Sequence, residues 1–329
     1  MLRAVNDSVV VLTGASSGIG YATARALARG GASLALAARA EPDLEATAAE
    51  CRRLGADVLA VPTDVADERA VESLAQRAEE RFGRLDVWIN NAGVMAYGSF
   101  EQIPSEVFRR VVEITLMGQV HGARAALPRF RAQGGGTLIN LSSTWGRVTT
   151  PWVSPYVIAK HAVRALSECL RHELDGAEEI NVVTLVPQAV DTPIFEHAAN
   201  YTGHEIRPIP PLNDPEDVAA GIVRCIESPR REVTYGRAGR ALEALYALWP
   251  SMYCRIAPAM YSRGSLSRDR AEPTPGNVGD GRGGGRARGG WRDEKRRSAR
   301  TGLVEALRGL GASLTGRGSR SVPKQRSTT

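Results

Sequence analysis

Residues 8–20 read SVVVLTGASSGIG, and this stretch decides the architecture. Val9, Val10, Val11 and Leu12 form an apolar run without polar alternation, the pattern of a strand buried on both faces. The run enters Gly14, Gly18 and Gly20 directly, and a helix-length segment at 19–30 follows. Gly14 permits a tight turn, Gly18 lets a ligand approach the backbone, and Gly20 lets the helix pack against the strand. The first helical turn leaves N–H donors without intrahelical partners, so strand, turn and helix together make an anion cradle suited to a pyrophosphate. Ser16, Ser17 and Ile19 complete its rim.

Working outward, the first 240 residues alternate short apolar runs with helix-length segments. Strands are expected at 8–13, 33–38, 58–62, 87–90, 137–142, 180–186 and 232–235, and helices at 19–30, 44–54, 68–81, 105–131, 155–174 and 215–228. Strict alternation of this kind predicts an α/β fold, a doubly wound parallel sheet of about seven strands covered on both faces (the Rossmann fold), in a domain spanning 1–240. Residues 241–264 form a second region. Its apolar stretch ALEALYALWPSMYCRIAPAMYS is interrupted by Pro250, Arg255 and Pro258. A short amphipathic helix packed on the domain or on a second subunit is favoured over a membrane-surface anchor.

The formal charge of +6 is unevenly placed. Residues 265–329 carry 15 Lys/Arg against 6 Asp/Glu, a net of +9, which leaves −3 for the first 264 residues. This third region contains GDGRGGGRARGG at 279–290, which has little to bury against the entropy of ordering a backbone, and disorder is expected from residue 265 apart from a transient helix near 303–314. Gly/Arg segments can bind single-stranded nucleic acid, but Trp291 is the one aromatic available for stacking, so a solvated tail is preferred and nucleic acid is not expected as a partner. The cysteines, Cys51, Cys169, Cys225 and Cys254, are far apart and form no zinc or disulfide pattern. With no metal site, no signal-peptide pattern at the N-terminus and no apolar run long enough to span a bilayer, a cytoplasmic protein is expected.

Further motifs follow the turn in order. Asp64-Val65 comes after the third strand and Asn90-Asn91-Ala92-Gly93 after the fourth. Ser143 follows the fifth strand, and Tyr156 and Lys160 lie four residues apart on one helix face. A tyrosine with an ordinary pKa of ~10 is a poor general base at neutral pH, and a neighbouring ammonium favours its phenolate. Ser143, at the carboxyl end of its strand, is placed to hold a substrate oxygen beside Tyr156. The TGxxxGxG spacing, the NNAG motif and the Ser143/Tyr156/Lys160 set together resemble the short-chain dehydrogenase/reductase family over residues 8–240.

That resemblance implies a dinucleotide contacted by Asp64, Val65, Asn91, Ala92 and Gly93, then by Pro187 and Thr192. It also implies Lys160 on the nicotinamide ribose, a substrate loop after Pro193, and a dimer or tetramer formed through the helices at 105–131 and 155–174. Where an NAD-selecting acid would end the second strand, this chain has Ala38 followed by Arg39, so NADP(H) is expected, with the guanidinium on the 2′-phosphate. Ser17 adds no support for it. Two positions depart from the family. Thr115 stands where many relatives carry an asparagine that helps hold a water connecting the lysine to solvent; a threonine hydroxyl can bond the carbonyl one turn back and bend the helix slightly, which would let the water persist. Gln188 replaces the glycine after Pro187, restricting the backbone while adding an amide. His161 and His172 are read as bystanders. The segment 195–212, with Tyr201, and Trp145 and Trp152 suggest an apolar pocket for a ketone, aldehyde or secondary alcohol. The competing interpretation is a catalytically silent dinucleotide-binding sensor or scaffold, in which Thr115 and Gln188 mark lost activity.

Overall fold

The computed structural model describes residues 4–177, 179–281 and 284–292. Seven parallel strands form the central sheet: β1 (Val9–Thr13), β2 (Ser33–Ala38), β3 (Val58–Pro62), β4 (Val87–Asn90), β5 (Gly136–Leu141), β6 (Ile180–Pro187) and β7 (Glu232–Tyr235), in the order β7-β6-β5-β4-β1-β2-β3. All five residues of β1 are buried, as the run Val9 to Thr13 demands of a central strand flanked by β2 and β4.

Helices cover both faces. On one, α1 (Gly18–Arg29), α2 (Glu41–Arg53) and α7 (Pro215–Glu227) pack Leu27, Leu44, Val218 and Ile222 onto the sheet. On the other, α3 (Glu68–Phe82), α4 (Ser105–Val112), α5 (Gly118–Gln133) and α6 (Ser154–Glu173) bury Leu74, Val111, Phe130 and Val157. Helix starts follow local chemistry: the Asp67 carboxylate accepts from the N–H of Arg69 at 2.9 Å to cap α3, and Asp214 does so for Glu216 at 3.2 Å ahead of Pro215 in α7. The single helix expected at 105–131 is α4 and α5 joined by a π-helical turn, Glu113–Met117.

Residues 241–264 resolve into two helices meeting at Pro250, α8 (Arg237–Leu248) and α9 (Pro250–Ser265). They pack as a roof over the carboxyl ends of the strands, burying Tyr253, Ala257 and Tyr261 with Val148. Among the described residues no helix is long and apolar enough to cross a membrane. The region from 265 departs from the boundary expected for it: Leu266–Arg270 pairs antiparallel with His204–Ile206, and described residues up to Arg292 lie against the domain. Backbone bonding to neighbouring segments, which composition does not register, holds them there. The helix expected near 303–314 lies outside the described residues.

Candidate active site

The strand order reverses between β1 and β4, and the carboxyl ends of β1, β4, β5 and β6 surround that point. Gly14 at φ +67° and Gly18 at φ +56° adopt the left-handed conformations the turn requires. A Cβ on Gly20 would lie 2.0 Å from the Gly14 carbonyl oxygen, so only glycine fits beneath the turn. Asn91 braces it from just beyond β4, its Nδ2 donating to the carbonyls of Thr13 at 2.9 Å and Gly14 at 3.0 Å.

A cleft of about 170 Å³ lies over the turn. Gly14, Ser16, Ser17, Gly18 and Ile19 form its floor, and Arg39, Val65 and Asn91 to Gly93 its sides. Tyr156, Lys160, Pro187 and Thr192 close its inner end. Two expected contacts stand apart: Gly20 is buried below the turn, and Asp64 does not line the cleft. One Asp64 oxygen accepts from the N–H of Ala66 at 3.0 Å, and the other is ion-paired with Arg110. The glycine-rich cradle, its backbone donors and the neighbouring Arg39 fit an extended anionic dinucleotide.

Ser143 and Tyr156 line the same chamber, and the Ser143 hydroxyl accepts from the N–H of Trp145 at 3.2 Å. Lys160, one turn after Tyr156 on α6, places Nζ 5.5 Å from the phenol ring centroid and donates to the Leu141 carbonyl at 2.6 Å. Both side chains are buried, which penalises their charged forms. Burial raises the Tyr156 phenol to about 12, opposed by the neighbouring Ser143 hydroxyl, and burial lowers the Lys160 ammonium to about 7. The site therefore holds a protonated phenol beside an amine close to its titration midpoint at neutral pH.

Thr115 is buried behind this pair and does not line the cleft. Its hydroxyl does not bond one turn back; Oγ1 instead donates to the carbonyl and accepts from the N–H of Val94, each at 3.2 Å, across to the chain beyond β4. Thr115 lies within the π-helical turn that joins α4 to α5. A residue not singled out in the sequence, Gln119, lies one turn on: its buried Nε2 donates to the Thr115 carbonyl at 3.3 Å and to the Leu141 carbonyl at 3.0 Å. Lys160 and Gln119 thus share one acceptor. A glutamine inside a buried helical stretch is the signal that identifies it.

A second cavity of about 300 Å³ adjoins the cleft, and the two share Ile19, Tyr156, Pro187, Thr192 and Ile194. Its walls are mainly apolar: Met95, Trp145, Phe195 and Ile209, with Leu242, Met260 and Tyr261 from the roof. Trp145 meets the Tyr156 ring edge-on at 6.0 Å and donates Nε1 to the Tyr261 hydroxyl at 3.3 Å. Trp152 and Tyr201, expected here, do not line the chamber. Trp152 takes a left-handed φ of +71° and donates Nε1 to Ser262 at 3.0 Å, while the Tyr201 N–H donates to Tyr97. Gln188 lines the chamber without a left-handed φ, so glycine is not needed at that position. Its amide donates to the Pro211 carbonyl at 3.0 Å and accepts from the Gly239 N–H at 2.9 Å, tying the segment 195–212 to α8. His161 bonds the Val157 carbonyl of its own helix, apart from the site.

Comparison with known proteins agrees with this geometry. The family model for short chain dehydrogenase matches residues 8–201. The uncharacterized oxidoreductase YxnA of Bacillus subtilis is 37% identical over 261 residues, covering 78% of this chain and 72% of the relative. The putative oxidoreductase SadH of Mycobacterium tuberculosis is 32% identical over 266 residues, covering 78% and 96% respectively. An alcohol dehydrogenase from the archaeon Thermococcus sibiricus, complexed with 5-hydroxy-NADP, superposes with a TM-score of 0.60 at 31% identity, over 69% of this chain and 95% of that one. A short chain dehydrogenase/reductase from Burkholderia phymatum, in complex with NAD, gives a TM-score of 0.70 at 28% identity, over 83% and 99%. Sequence match, strand order and the glycine turn converge, and the chain belongs to the short-chain dehydrogenase/reductase family of oxidoreductases, whose fold binds a nicotinamide dinucleotide.

Proposed function

We propose that the protein is an NADP(H)-dependent reductase/dehydrogenase acting on a carbonyl or secondary alcohol carried by a mainly apolar small molecule. The observation that carries this reading is the position of Tyr156, which lines both the polar cleft and the apolar chamber, with Ser143 beside it on the chamber wall. When bound, the dinucleotide supplies or accepts the hydride. Tyr156 gives its proton to the substrate oxygen in reduction and takes it back in oxidation, and Ser143 orients that oxygen. Lys160, when protonated, lowers the cost of the phenolate and is the group that would hold the nicotinamide ribose; Pro187 and Thr192 border the same end of the cleft. Thr115 acts behind them by fixing the chain at Val94.

Preference for NADP(H) rests on Arg39 at the cleft edge, with no carboxylate competing at the end of β2. A homodimer or tetramer is proposed through α4, α5 and α6, where Met117 and Ile158 remain exposed. A cytoplasmic location is in keeping with the four free cysteines. The test is a spectrophotometric screen of ketones, aldehydes and secondary alcohols with each cofactor. NADPH is expected to bind more tightly than NADH, and Tyr156→Phe to lose turnover while retaining dinucleotide; a Tyr156→Phe variant with full turnover excludes the mechanism.

A further inference from the structure

The segment beyond α9 crosses the mouth of the cofactor cleft as a strap. Thr274 exchanges backbone hydrogen bonds with Asn200 at 2.8 and 2.9 Å, and the Asn277 N–H donates to the His197 carbonyl at 2.8 Å. The Arg39 guanidinium then donates to the carbonyls of Asn277, Val278 (3.2 Å) and Gly279 (3.1 Å). Asn277 and Gly281 line the cleft itself, and a Cβ on Gly281 would lie 2.7 Å from Arg39 Cβ. Further on, the Arg286 carbonyl accepts from the Gly18 N–H at 2.9 Å, taking the first backbone donor of α1. Trp291 anchors this end: its N–H donates to Asp191 at 2.9 Å, its Nε1 to the Thr192 carbonyl at 3.2 Å, and its ring meets Phe195 edge-on. Arg288 and Arg292 pair with Asp214 at 3.0 and 2.7 Å.

We propose that this strap is a competing occupant of the cofactor site that sets cofactor discrimination. Its carbonyl oxygens take the guanidinium and the helix N-terminal donor that a phosphorylated adenosine has to recruit. The proposal rests on Arg39 being the 2′-phosphate ligand. Carbonyl dipoles hold a guanidinium less strongly than a phosphate does, because charge-assisted bidentate contacts are the stronger ones. A 2′-phosphate can therefore displace residues 277–281 from Arg39, whereas a ribose hydroxyl cannot. The apparent affinity for the phosphorylated cofactor is reduced by the fraction of molecules in which the strap is already displaced, so weakening the strap raises it.

The experiment uses the full-length chain and two probes, 2′,5′-ADP and 5′-AMP, with binding measured by calorimetry. Gly281→Val, which cannot sit against Arg39 Cβ, is expected to tighten 2′,5′-ADP at least fivefold and leave 5′-AMP within twofold. Trp291→Ala, which frees the Arg286 end, is expected to tighten both. In the unsubstituted protein, saturating 2′,5′-ADP is expected to speed hydrogen exchange at the amides of Asn277, Gly289 and Trp291, which 5′-AMP does less. Retained preference for 2′,5′-ADP with unchanged affinities in both variants and unchanged exchange overturns the strap and leaves the role of Arg39 standing. Absence of any preference for 2′,5′-ADP in all three proteins overturns the role of Arg39, and the proposal with it.

Discussion

At the scale of single residues, the buried pair on α6 ties stability to pH. Lys160 has its folded-state pKa lowered by burial to about 7, while in the unfolded chain it titrates near ~10.4. Between those values the unfolded chain binds the extra proton, so stability rises with pH across that window and the gain is lost as pH falls to 7. From pH 7 to 9 the lysine contributes on the order of 2 kcal/mol of that rise. Urea unfolding of Lys160→Met at both pH values is expected to show that increment missing relative to the parent. Tyr156 moves the other way: its phenol, raised to about 12, stays protonated through the neutral range. Carbonyl reduction is accordingly expected to have a kcat/KM that is level below about pH 7 and falls above it as Lys160 loses its proton, because Tyr156 keeps its own throughout and kcat/KM follows the free enzyme's ionisations.

At the scale of elements, turn and roof make separate demands. Gly20→Ala sets a methyl 2.0 Å from the Gly14 carbonyl, so turn and helix must part. Overpacking of this kind costs about 1 to 3 kcal/mol, and the expected outcome is a lower Tm with dinucleotide binding lost in calorimetry. In the roof, Leu242→Ala withdraws an apolar wall from the chamber. Losing about 1.5 kcal/mol of contact corresponds to roughly a tenfold rise in KM for apolar ketones, with kcat little changed. These two elements also mark how far the sequence was legible. The strand at Val9 to Thr13, the glycine turn and the spacing from Tyr156 to Lys160 are local patterns, and the strand at 33–38 was placed to the residue. The chamber wall at Leu242 and Met260 and the diversion of Trp152 to Ser262 depend on partners distant in the chain, for which periodicity carries no signal. The strap was hidden for the same reason, since its hold on the domain is made largely by backbone carbonyls and N–H groups that have no compositional trace.

At the scale of the whole molecule, the sheet's two faces are filled, and large apolar side chains left outside include Met117 on the α4–α5 run and Ile158 on α6. Ile158→Glu places a charge where a second copy would pack; sedimentation is expected to show the assembly shifted to monomer, with secondary structure by circular dichroism unchanged. The roof is joined to the loop after β5 by charge as well as packing, since Arg147 pairs with Glu232 at the sheet edge and Glu243 on α8. The cleft and the chamber meet along one wall, at Tyr156, Ile19, Pro187, Thr192 and Ile194. On the proposed function, a prochiral ketone whose apolar body fills the chamber, with its oxygen between Ser143 and Tyr156, is expected to turn one of its two faces toward that wall. The alcohol produced is then of a single hand, and chiral chromatography of the product from an unsymmetrical ketone reads the shape of the chamber directly.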